Sequence, residues 1–499
     1  MSVLAKWNNK ILPMLVIIIS AIAVGFVWIV GISSPQHNLI SWQLLIGTLF
    51  VTALVMGCSF AWLRFIADKL GKANSFIFWI GLVLYGIGML IVSLLCNNGV
   101  GLIDHYTVIE SARELAFGEP LDNPFYFSIY ANNFKPTMLL SWVMWVCKIV
   151  GINSGIVERL LIIGLILGSI VAVRYLISDS QEIRNKLQVP VLILFVFFWP
   201  TICYVSFSYT DSLSYGLGII GIAITIWAYR VKCHKAVKVL LWCIAGALVA
   251  IGIVQKITVV IPVIAIGMIM IFKISKKFNF VGLLVVLASL GLTLGGIELA
   301  ARQYDVYVDS YETKAPLINW IALGLCGDGT FAASKDAGYY IQIEGPTSVK
   351  KEMAKEHIKN NVSNIYSLSH YASKVQYTFA TGNLGAIQTF NNVGDVAEDN
   401  IVGQCFHSYG AYYWRMSQVC FCYMYALWTI ILIGAVFAFV ALIKRRELNT
   451  TYVWSLLGVF GFILFMLIWE SCPRQIFNQI PGIVLCVVMS LQVVFRINE

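Results

Sequence analysis

Charged residues are scarce in this chain of 499 residues, of which only 12% are Asp, Glu, Lys or Arg. Soluble domains carry roughly 25% charged residues, so this composition excludes an ordinary soluble protein. With 59% hydrophobic residues, the chain is predicted to be an all-α polytopic membrane protein with the lipid bilayer as its first partner. The net charge of +9 lies in short basic clusters between apolar runs, as topology signals do, and this argues against a nucleic-acid partner.

Metal-binding cysteine patterns and nucleotide-binding loops are also missing. The 12 cysteines form no C-x-x-C pair and no Cys/His spacing that suits zinc. No Gly-rich phosphate loop occurs, so no nucleotide cofactor is expected. Cys326 and Cys405 fall in a long polar segment and could pair if that side of the membrane is oxidising, a question that the sequence leaves open.

Twelve apolar runs approach the ~20 residues that a membrane-spanning helix needs. They cover residues 11–32, 40–63, 75–96, 156–177, 188–205, 209–229, 239–255, 257–272, 280–298, 418–443, 452–469 and 475–496. A shorter run, 137–152, is ambiguous. The predicted parts are three N-terminal spans (1–96), a first external loop (97–155), a transmembrane core (156–298), a large external loop (299–417) and three C-terminal spans (418–499).

Basic clusters set the orientation, because cytoplasmic loops carry an excess of Lys and Arg. Lys6 and Lys10 place the N-terminus in the cytoplasm, and the clusters at 230–238, 273–277 and 444–446 are predicted to lie there too. Parity then requires that 137–152 lies in the outer interface instead of crossing. The same count brings six charged residues to the outer side: Asp104, Glu158, Asp211, Lys256, Glu470 and Arg474.

The stretch GLIDHYTVIESARELAFGEP (101–120) places Asp104 and His105 directly after an apolar run. Apolar residues at i, i+3 and i+4 spacing predict a helix that Asp104 opens and Gly118-Glu119-Pro120 ends. Asp104 is then either a helix cap or a catalytic acid at the lipid surface. In the next loop, NPFYFSIYANNFKP, the aromatics suit an interfacial belt, whereas four side chains are candidates to bind a sugar or phosphate: Tyr130, Asn132, Asn133 and Lys135.

Further isolated charges stand at the outer ends of spans, while the span centres are nearly free of them, which favours surface chemistry over an ion pathway. Asp211, in SFSYTDSLSYG, is a cap or a site residue. Lys256, in GIVQKITVVIP, is a snorkelling lysine or a phosphate ligand. In LIWESCPRQIFNQIPG, Glu470 and Arg474 form either an ion pair across a turn or an arginine site for an anionic headgroup.

The large external loop contains two contrasting stretches. NWIALGLCGDG, which includes Asn319 and Trp320, is an apolar run that closes in Gly-rich turns and predicts an in-plane element over a cavity. Lys374, followed by YTFATG, could approach it. The stretch KKEMAKEHIK (350–359) predicts a solvated helix without chemistry.

Taken in order, these motifs resemble those of the GT-C glycosyltransferases. An acid after an early span is followed by a helix that ends in glycine, and YANNFKP is similar to the Tyr-Pro-Asn-Asn type of loop in bacterial members. SYTDSLS, G-x-x-x-K-x-T (Gly252 to Thr258), NWIALGLCGDG and WESCPR then follow. The resemblance covers about 100–480 and is nearest to protein O-mannosyltransferase-like and aminoarabinose-transferase-like enzymes and their bacterial cell-envelope relatives.

Two positions depart from that pattern. His105 stands where many members have a second acid, and Gln475 stands where a Tyr usually follows the arginine. The first departure removes the second carboxylate of the family's two-carboxylate metal site. The second removes the Tyr that usually accompanies the arginine to which Arg474 corresponds.

The resemblance implies a GT-C fold with an active site on the outer face of the bacterial cytoplasmic membrane. A sugar would pass from a polyprenyl-phosphate donor, with inversion, to an acceptor such as an envelope polysaccharide, a teichoic acid, a lipid or a protein. Catalysis would fall to Asp104 as base, with His105 and Asp211. The donor phosphate would be bound by Lys256, Arg474, Glu470 and Lys374, and the acceptor or sugar by Tyr130, Asn132, Asn133, Lys135, Asn319 and Trp320. The resemblance leaves open whether a divalent metal, Mg or Mn, binds at Asp104 and Asp211.

Three other functions are alternatives to a glycosyltransferase. A polysaccharide polymerase or ligase would also use lipid-linked sugars. A sugar or lipid transporter would be expected to show inverted repeats and midplane polar residues, which this sequence lacks. A non-catalytic scaffold gives no reason for Asp104, Asp211, Lys256 and Arg474 to converge on one pocket.

Overall fold

The structure is a computed structural model that describes residues 10–35, 40–95, 103–272, 280–331, 345–382, 384–385, 401–406, 410–444 and 446–496. These residues form helices and turns, with no β-strand among them, which confirms the all-α prediction. A π-helical turn (Trp62–Ile66) and a four-residue helix (Ala67–Leu70) continue the second helix toward Leu70. The other helices up to residue 230 are α1 (Leu12–Ser33), α2 (Ser41–Ala61), α3 (Lys72–Leu95), α4 (Ile103–Phe117), α5 (Pro124–Ile129), α6 (Ala131–Val150), α7 (Ser154–Leu176), α8 (Gln181–Val196), α9 (Pro200–Tyr204), α10 (Thr210–Leu213) and α11 (Leu217–Arg230).

The second half of the chain contributes eleven more helices and three 3₁₀ turns. The helices are α12 (Lys235–Gln255), α13 (Val260–Phe272), α14 (Phe280–Ala301), α15 (Asp305–Thr313), α16 (Ile318–Gly324), α17 (Thr347–Asn360), α18 (Leu368–Phe379), α19 (Ile401–Phe406), α20 (Tyr413–Ile443), α21 (Thr450–Ile468) and α22 (Ile480–Phe495). The 3₁₀ turns are Ile257–Val259, Val362–Tyr366 and Pro473–Gln479. The predicted basic cluster at 273–277 lies outside the described residues.

Ten segments of the described chain are long and apolar enough to cross a membrane, which makes this a multi-pass membrane protein. They are α1, α2 with its continuation to Leu70, α3, α7, α10 with α11, α12, α14, α20, α21, and the turn Pro473–Gln479 with α22. The other two predicted spans correspond to shorter helices. The run 188–205 is divided between α8, of 16 residues, and α9, and the run 257–272 yields an apolar helix over Ile257–Met268.

The ten segments differ in how much of their surface other helices cover. Helix α14 is mostly uncovered, with Leu284, Leu287, Leu292 and Leu299 exposed. Large apolar side chains in such numbers are stable only against lipid or another apolar surface. In the segment Pro473–Phe495 nearly all residues are buried, and the segment packs against α20 and α21. The aromatic side chains of Tyr425, Trp428 and Tyr452 are fully buried there.

The structure confirms the helix predicted after Asp104, which runs to Phe117 and stops at Gly118 with a φ of 74°. The interpretation of ANNFKP as a loop is wrong, because α6 begins at Ala131 and includes Pro136. The run 137–152 is therefore the second part of a 20-residue helix that is not among the ten candidate spans.

In the segment 299–417, NWIALG forms most of helix α16, and α17 confirms the helix predicted over 350–359. That helix is not entirely solvated, however, because Lys350 is buried and donates to the carbonyl of Thr313. Cys326 and Cys405 are not disulfide-bonded to each other. Instead, Cys326 Sγ lies 2.6 Å from His357 Nε2.

Candidate functional site

Three interruptions in membrane helices bring Asp211, Lys256 and Arg474 together. Asp211 lies in the short helix α10, Lys256 follows α12 in an extended conformation, and Arg474 lies in the 3₁₀ turn that precedes α22. Lys256 Nζ is 2.5 Å from Asp211 Oδ1, and Arg474 Nη1 is 3.8 Å from Asp211 Oδ2. Two cations and one carboxylate thus leave one net positive charge at this point.

This trio, Asp211, Lys256 and Arg474, is withdrawn from solvent but not fully paired. The side chain of Asp211 is completely buried, whereas those of Lys256 and Arg474 retain 17% and 14% exposure. Among the described residues, Asp211 Oδ2 and Arg474 Nε and Nη1 have no hydrogen-bond partner. The guanidinium therefore keeps donors that can bind an anion beside the trio.

A buried amide network fixes the backbone segments that carry the trio. Asn478 Nδ2 donates to Thr258 Oγ1 (2.9 Å) and to Ser214 Oγ (3.2 Å), which joins all three interruptions. Gln479 Nε2 donates to the Thr258 carbonyl at 3.0 Å. Because each buried amide hydrogen bond left unmade costs about 1–3 kcal/mol, the network holds these irregular segments in one arrangement.

Gly216 makes the interruption between α10 and α11 sterically feasible. Its φ is 64°, and a Cβ at this position would lie 1.9 Å from Ser169 Oγ. A side chain could not fit there without moving α7. The glycine in SYTDSLSYG thus fixes how α10 presents Asp211.

Asp104 lies in the first turn of α4 and is hydrogen-bonded by a tyrosine. The hydroxyl of Tyr126, on α5, donates to Asp104 Oδ1 at 3.1 Å. The side-chain amide of Asn133 donates to the Tyr126 oxygen at 2.5 Å and to the Tyr209 oxygen at 3.2 Å. The segments around 104, 126, 133 and 209 are thereby joined by polar contacts.

Tyr209 connects the Asp104 end of the site to the trio. The Arg474 guanidinium carbon lies 5.5 Å from the centre of its ring, within cation–π range. Burial raises the pKa of Tyr209, and the negative charge of Asp104 raises it further, so the hydroxyl stays protonated. The charges of Asp104 and Arg474 thus both act on one buried phenol.

Glu470 lies between α21 and the 3₁₀ turn, within the electrostatic reach of the other charges. Burial raises the pKa of Glu470 to about 7, while the positive charges of Arg474, Lys256 and Lys374 oppose the rise. The carboxyl therefore keeps its proton to a higher pH than an exposed glutamate does. An ion pair between Glu470 and Arg474 across the turn was one of the two interpretations of this stretch. It is not among the ion pairs of the described residues, where Arg474 pairs with Asp211.

His105 is buried against the ring of Phe207, with the ring centroids 4.5 Å apart. Neither of its nitrogens has a hydrogen-bond partner among the described residues. Burial, together with the positive charge of Arg474, lowers the pKa of His105 to about 4. The imidazole is thus neutral at physiological pH and lies close enough to Arg474 to be affected by its positive charge.

Lys374 belongs to a structural clamp beside the site. Its ammonium donates to the carbonyls of Gly324 (2.7 Å) and Trp469 (2.6 Å), and burial lowers its pKa to about 7. Ser471 adds bonds from its backbone to Gly329 and from its hydroxyl to Asp328. The motifs NWIALGLCGDG and WESCPR therefore meet, with Lys374 occupied in joining them.

The remaining predicted binding residues are dispersed around this centre. Lys135 is paired with Glu298 at 2.6 Å, which leaves its charge compensated. Asn132 donates to Asn133 at 3.0 Å, and the Tyr130 ring lies 5.2 Å from that of Tyr126. Asn319 is buried in α16. The rings of Trp320 and Trp469 are stacked, with their centroids 6.4 Å apart.

The surroundings of Asp211 do not suit a divalent metal. Both of its oxygens face cations, Lys256 and Arg474, and these would repel a metal ion. The described residues also contain no group of three or more His, Cys, Asp or Glu side chains placed to hold one ion.

Sequence reasoning did not single out Tyr126, Tyr209 or Asn478. Both tyrosines stand beside span ends, where an interfacial aromatic belt gives the same pattern. A polar tyrosine directly before Thr210-Asp211, in a segment otherwise attributed to the site, was the available signal.

Comparison of the chain with protein-family models, curated proteins and solved structures gives no match.

Proposed function

We propose that this chain is an inverting glycosyltransferase of the GT-C type that uses a polyprenyl-phosphate-linked sugar. The acceptor is an envelope glycan or similar molecule at the outer face of the bacterial cytoplasmic membrane. The observation that carries the proposal is the buried Asp211–Lys256–Arg474 trio, which leaves unpaired guanidinium donors next to a separate carboxylate, Asp104. An anion site beside a candidate base is what transfer from a lipid phosphate requires.

The proposed topology has about twelve spans, made of the ten long segments together with α8 and α13. Interrupted helices suit a site at the membrane surface, because irregular backbone in lipid must be satisfied by other polar groups. Gln479 supplies such a group here, because its side-chain amide donates to the Thr258 carbonyl. In this arrangement the donor's apolar tail stays in the bilayer while its phosphate meets Lys256 and Arg474.

Charge balance supports the role of the trio. A glycosyl ester of a lipid phosphate carries one negative charge, which matches the single net positive charge of Asp211, Lys256 and Arg474. When the sugar leaves, the phosphate acquires a second negative charge. Cations already held in place stabilise that developing charge without reorganising, which lowers the barrier.

Asp104 completes the reaction. One carboxylate oxygen of Asp104 accepts the proton of the acceptor hydroxyl. At the same time, the hydroxyl oxygen of the acceptor forms a bond to the anomeric carbon. The bond from the anomeric carbon to the phosphate oxygen breaks, and its electron pair leaves with the lipid phosphate. Attack from the side opposite the phosphate inverts the anomeric configuration.

A scaffold is the less favoured alternative on physical grounds. Burying a carboxylate between two cations costs desolvation energy that an apolar substitute would avoid. Such an arrangement at three helix interruptions is more readily explained by a ligand that is bound there.

The direct test is transfer by the purified protein in proteoliposomes. The donors are radiolabelled polyprenyl-phosphate hexoses and aminopentoses, and the acceptors are envelope glycans from the host strain. We expect one donor to be consumed with equimolar release of polyprenyl phosphate. If no lipid-phosphate sugar is bound or consumed, while a free sugar crosses the bilayer, the protein is a transporter instead. Mass analysis of envelope glycans from a deletion strain then identifies the acceptor.

A further inference from the structure

The hydroxyl of Tyr126 lies between Asp104 and Asn133. It donates to Asp104 Oδ1 at 3.1 Å, and its oxygen accepts from Asn133 Nδ2 at 2.5 Å. Tyr126 is 7% exposed, and Asn123 caps the short helix that carries it by accepting from the Tyr126 amide. Hydrogen bonds thus fix Tyr126 both at its backbone amide and at its hydroxyl.

The protons of Asn133 determine the direction of these bonds. Its two Nδ2 protons go to the oxygens of Tyr126 and Tyr209, while its Oδ1 accepts from Asn132 at 3.0 Å. With the amide in this orientation, Tyr126 cannot donate to Asn133. Its own proton is therefore directed to Asp104.

The opposite amide orientation would break the hydrogen bond from Tyr126 to Asp104. It would turn Asn133 Oδ1 toward the two tyrosines and draw the Tyr126 proton away from the carboxylate. Asp104 Oδ1 would then face a phenol oxygen without a proton between them. The observed orientation avoids that repulsion and leaves the second carboxylate oxygen, Oδ2, for another partner.

We propose that Tyr126, oriented by Asn133, is a positioning residue that donates to Asp104 Oδ1 and directs Oδ2 toward the acceptor hydroxyl. The role of Asp104 as base rests on the proposed function, whereas the hydrogen bond from Tyr126 to Asp104 does not. A hydrogen bond to a carboxylate favours its charged form. Removing the donor should therefore favour the protonated acid.

Carbodiimide labelling tests this without any transfer activity. Dicyclohexylcarbodiimide adds to protonated carboxyls and leaves a stable N-acylurea, which peptide mass mapping assigns to Asp104. For the purified protein at mildly acidic pH, we expect Tyr126→Phe to label Asp104 about tenfold faster than the wild type, as the loss of one charged hydrogen bond predicts. Tyr106→Phe, on the exposed face of α4, is the matched control and should label as the wild type does.

Asn133→Asp provides a second variant that keeps the shape of the side chain. A carboxylate at 133 would accept the Tyr126 proton, so Asp104 labelling should again accelerate. Equal labelling of Asp104 in the wild type, Tyr126→Phe and Asn133→Asp would overturn the inference. In the transfer assay, the positioning role predicts a lower kcat for Tyr126→Phe at an unchanged KM for the donor. An inactive wild type would refute the proposed function, while the labelling result would still decide the role of Tyr126.

Discussion

Lys256 Nζ lies 2.5 Å from Asp211 Oδ1, although the two residues are 45 positions apart and belong to different interrupted helices. The contact is buried on the Asp211 side and is shared with Arg474, whose Nη1 is 3.8 Å from the other oxygen. One carboxylate therefore holds two cations in position. Under the proposed function, Asp211 organises the site and Lys256 and Arg474 bind the external anion.

The first prediction concerns Asp211→Asn. The substitution removes the charge that compensates two partly buried cations, so the free energy of unfolding should fall by about 3–5 kcal/mol. Denaturation in mixed micelles measures the change. Asp68→Asn, at an exposed pair with Lys186, is the matched control and should cost less than about 1 kcal/mol. Equal effects of the two substitutions would mean that the Asp211 contacts carry little energy.

The second prediction is a pH dependence of stability that arises from Glu470. Its pKa is raised from 4.5 to about 7 in the folded protein, so the folded state retains a proton that the unfolded state releases. Stability should therefore be greatest at low pH and fall as the pH rises from about 4.5 to 7.

Glu470→Gln, which mimics the protonated acid, should abolish this dependence. The variant should match the wild type near pH 4.5 and exceed its free energy of unfolding at pH 8 by about 2–3 kcal/mol. Glu119→Gln, at an exposed position, serves as the control. A wild-type curve that stays parallel to that of Glu470→Gln across this range would contradict the raised pKa.

The third prediction assigns Lys374 to structure instead of donor binding. Lys374→Met keeps the length of the side chain but leaves the carbonyls of Gly324 and Trp469 without their donor. At about 1–3 kcal/mol for each of the two unpaired carbonyls, the free energy of unfolding should fall by about 2–6 kcal/mol. Lys351→Met, on the exposed side of α17, should change it by less than about 0.5 kcal/mol. Full stability in Lys374→Met, with donor affinity lost, would return Lys374 to the phosphate site.

Sequence reasoning reached the parts of this protein that depend on composition and local signals. Apolar run length predicted the membrane helices, and the residues 104–118 showed both the periodicity and the glycine end of α4. It missed the start of α6, because Asn-Asn and Pro136 near a helix start give the same signal as a loop. It also overestimated the run 188–205, since the break after α8 occurs inside an apolar stretch.

The site shows a similar division. Charges at span ends singled out Asp211, Lys256 and Arg474, but the periodicity of the chain contains no information on which oxygen meets which nitrogen. The tyrosine contacts of Asp104 depend on how α5 packs against α4, a tertiary feature that local patterns do not contain. The dual carbonyl contact of Lys374 arises in the same way, from two segments 95 and 50 residues distant from it.

The central claim is that Asp104 supplies the base while Lys256 and Arg474 bind the donor phosphate. The most direct measurement compares donor affinity and transfer rate for Asp104→Asn and Lys256→Ala in the same proteoliposomes. The account predicts that Asp104→Asn binds the polyprenyl-phosphate sugar as the wild type does but transfers at least 100-fold more slowly, whereas Lys256→Ala binds it at least tenfold more weakly. Near-normal turnover in Asp104→Asn would contradict the account.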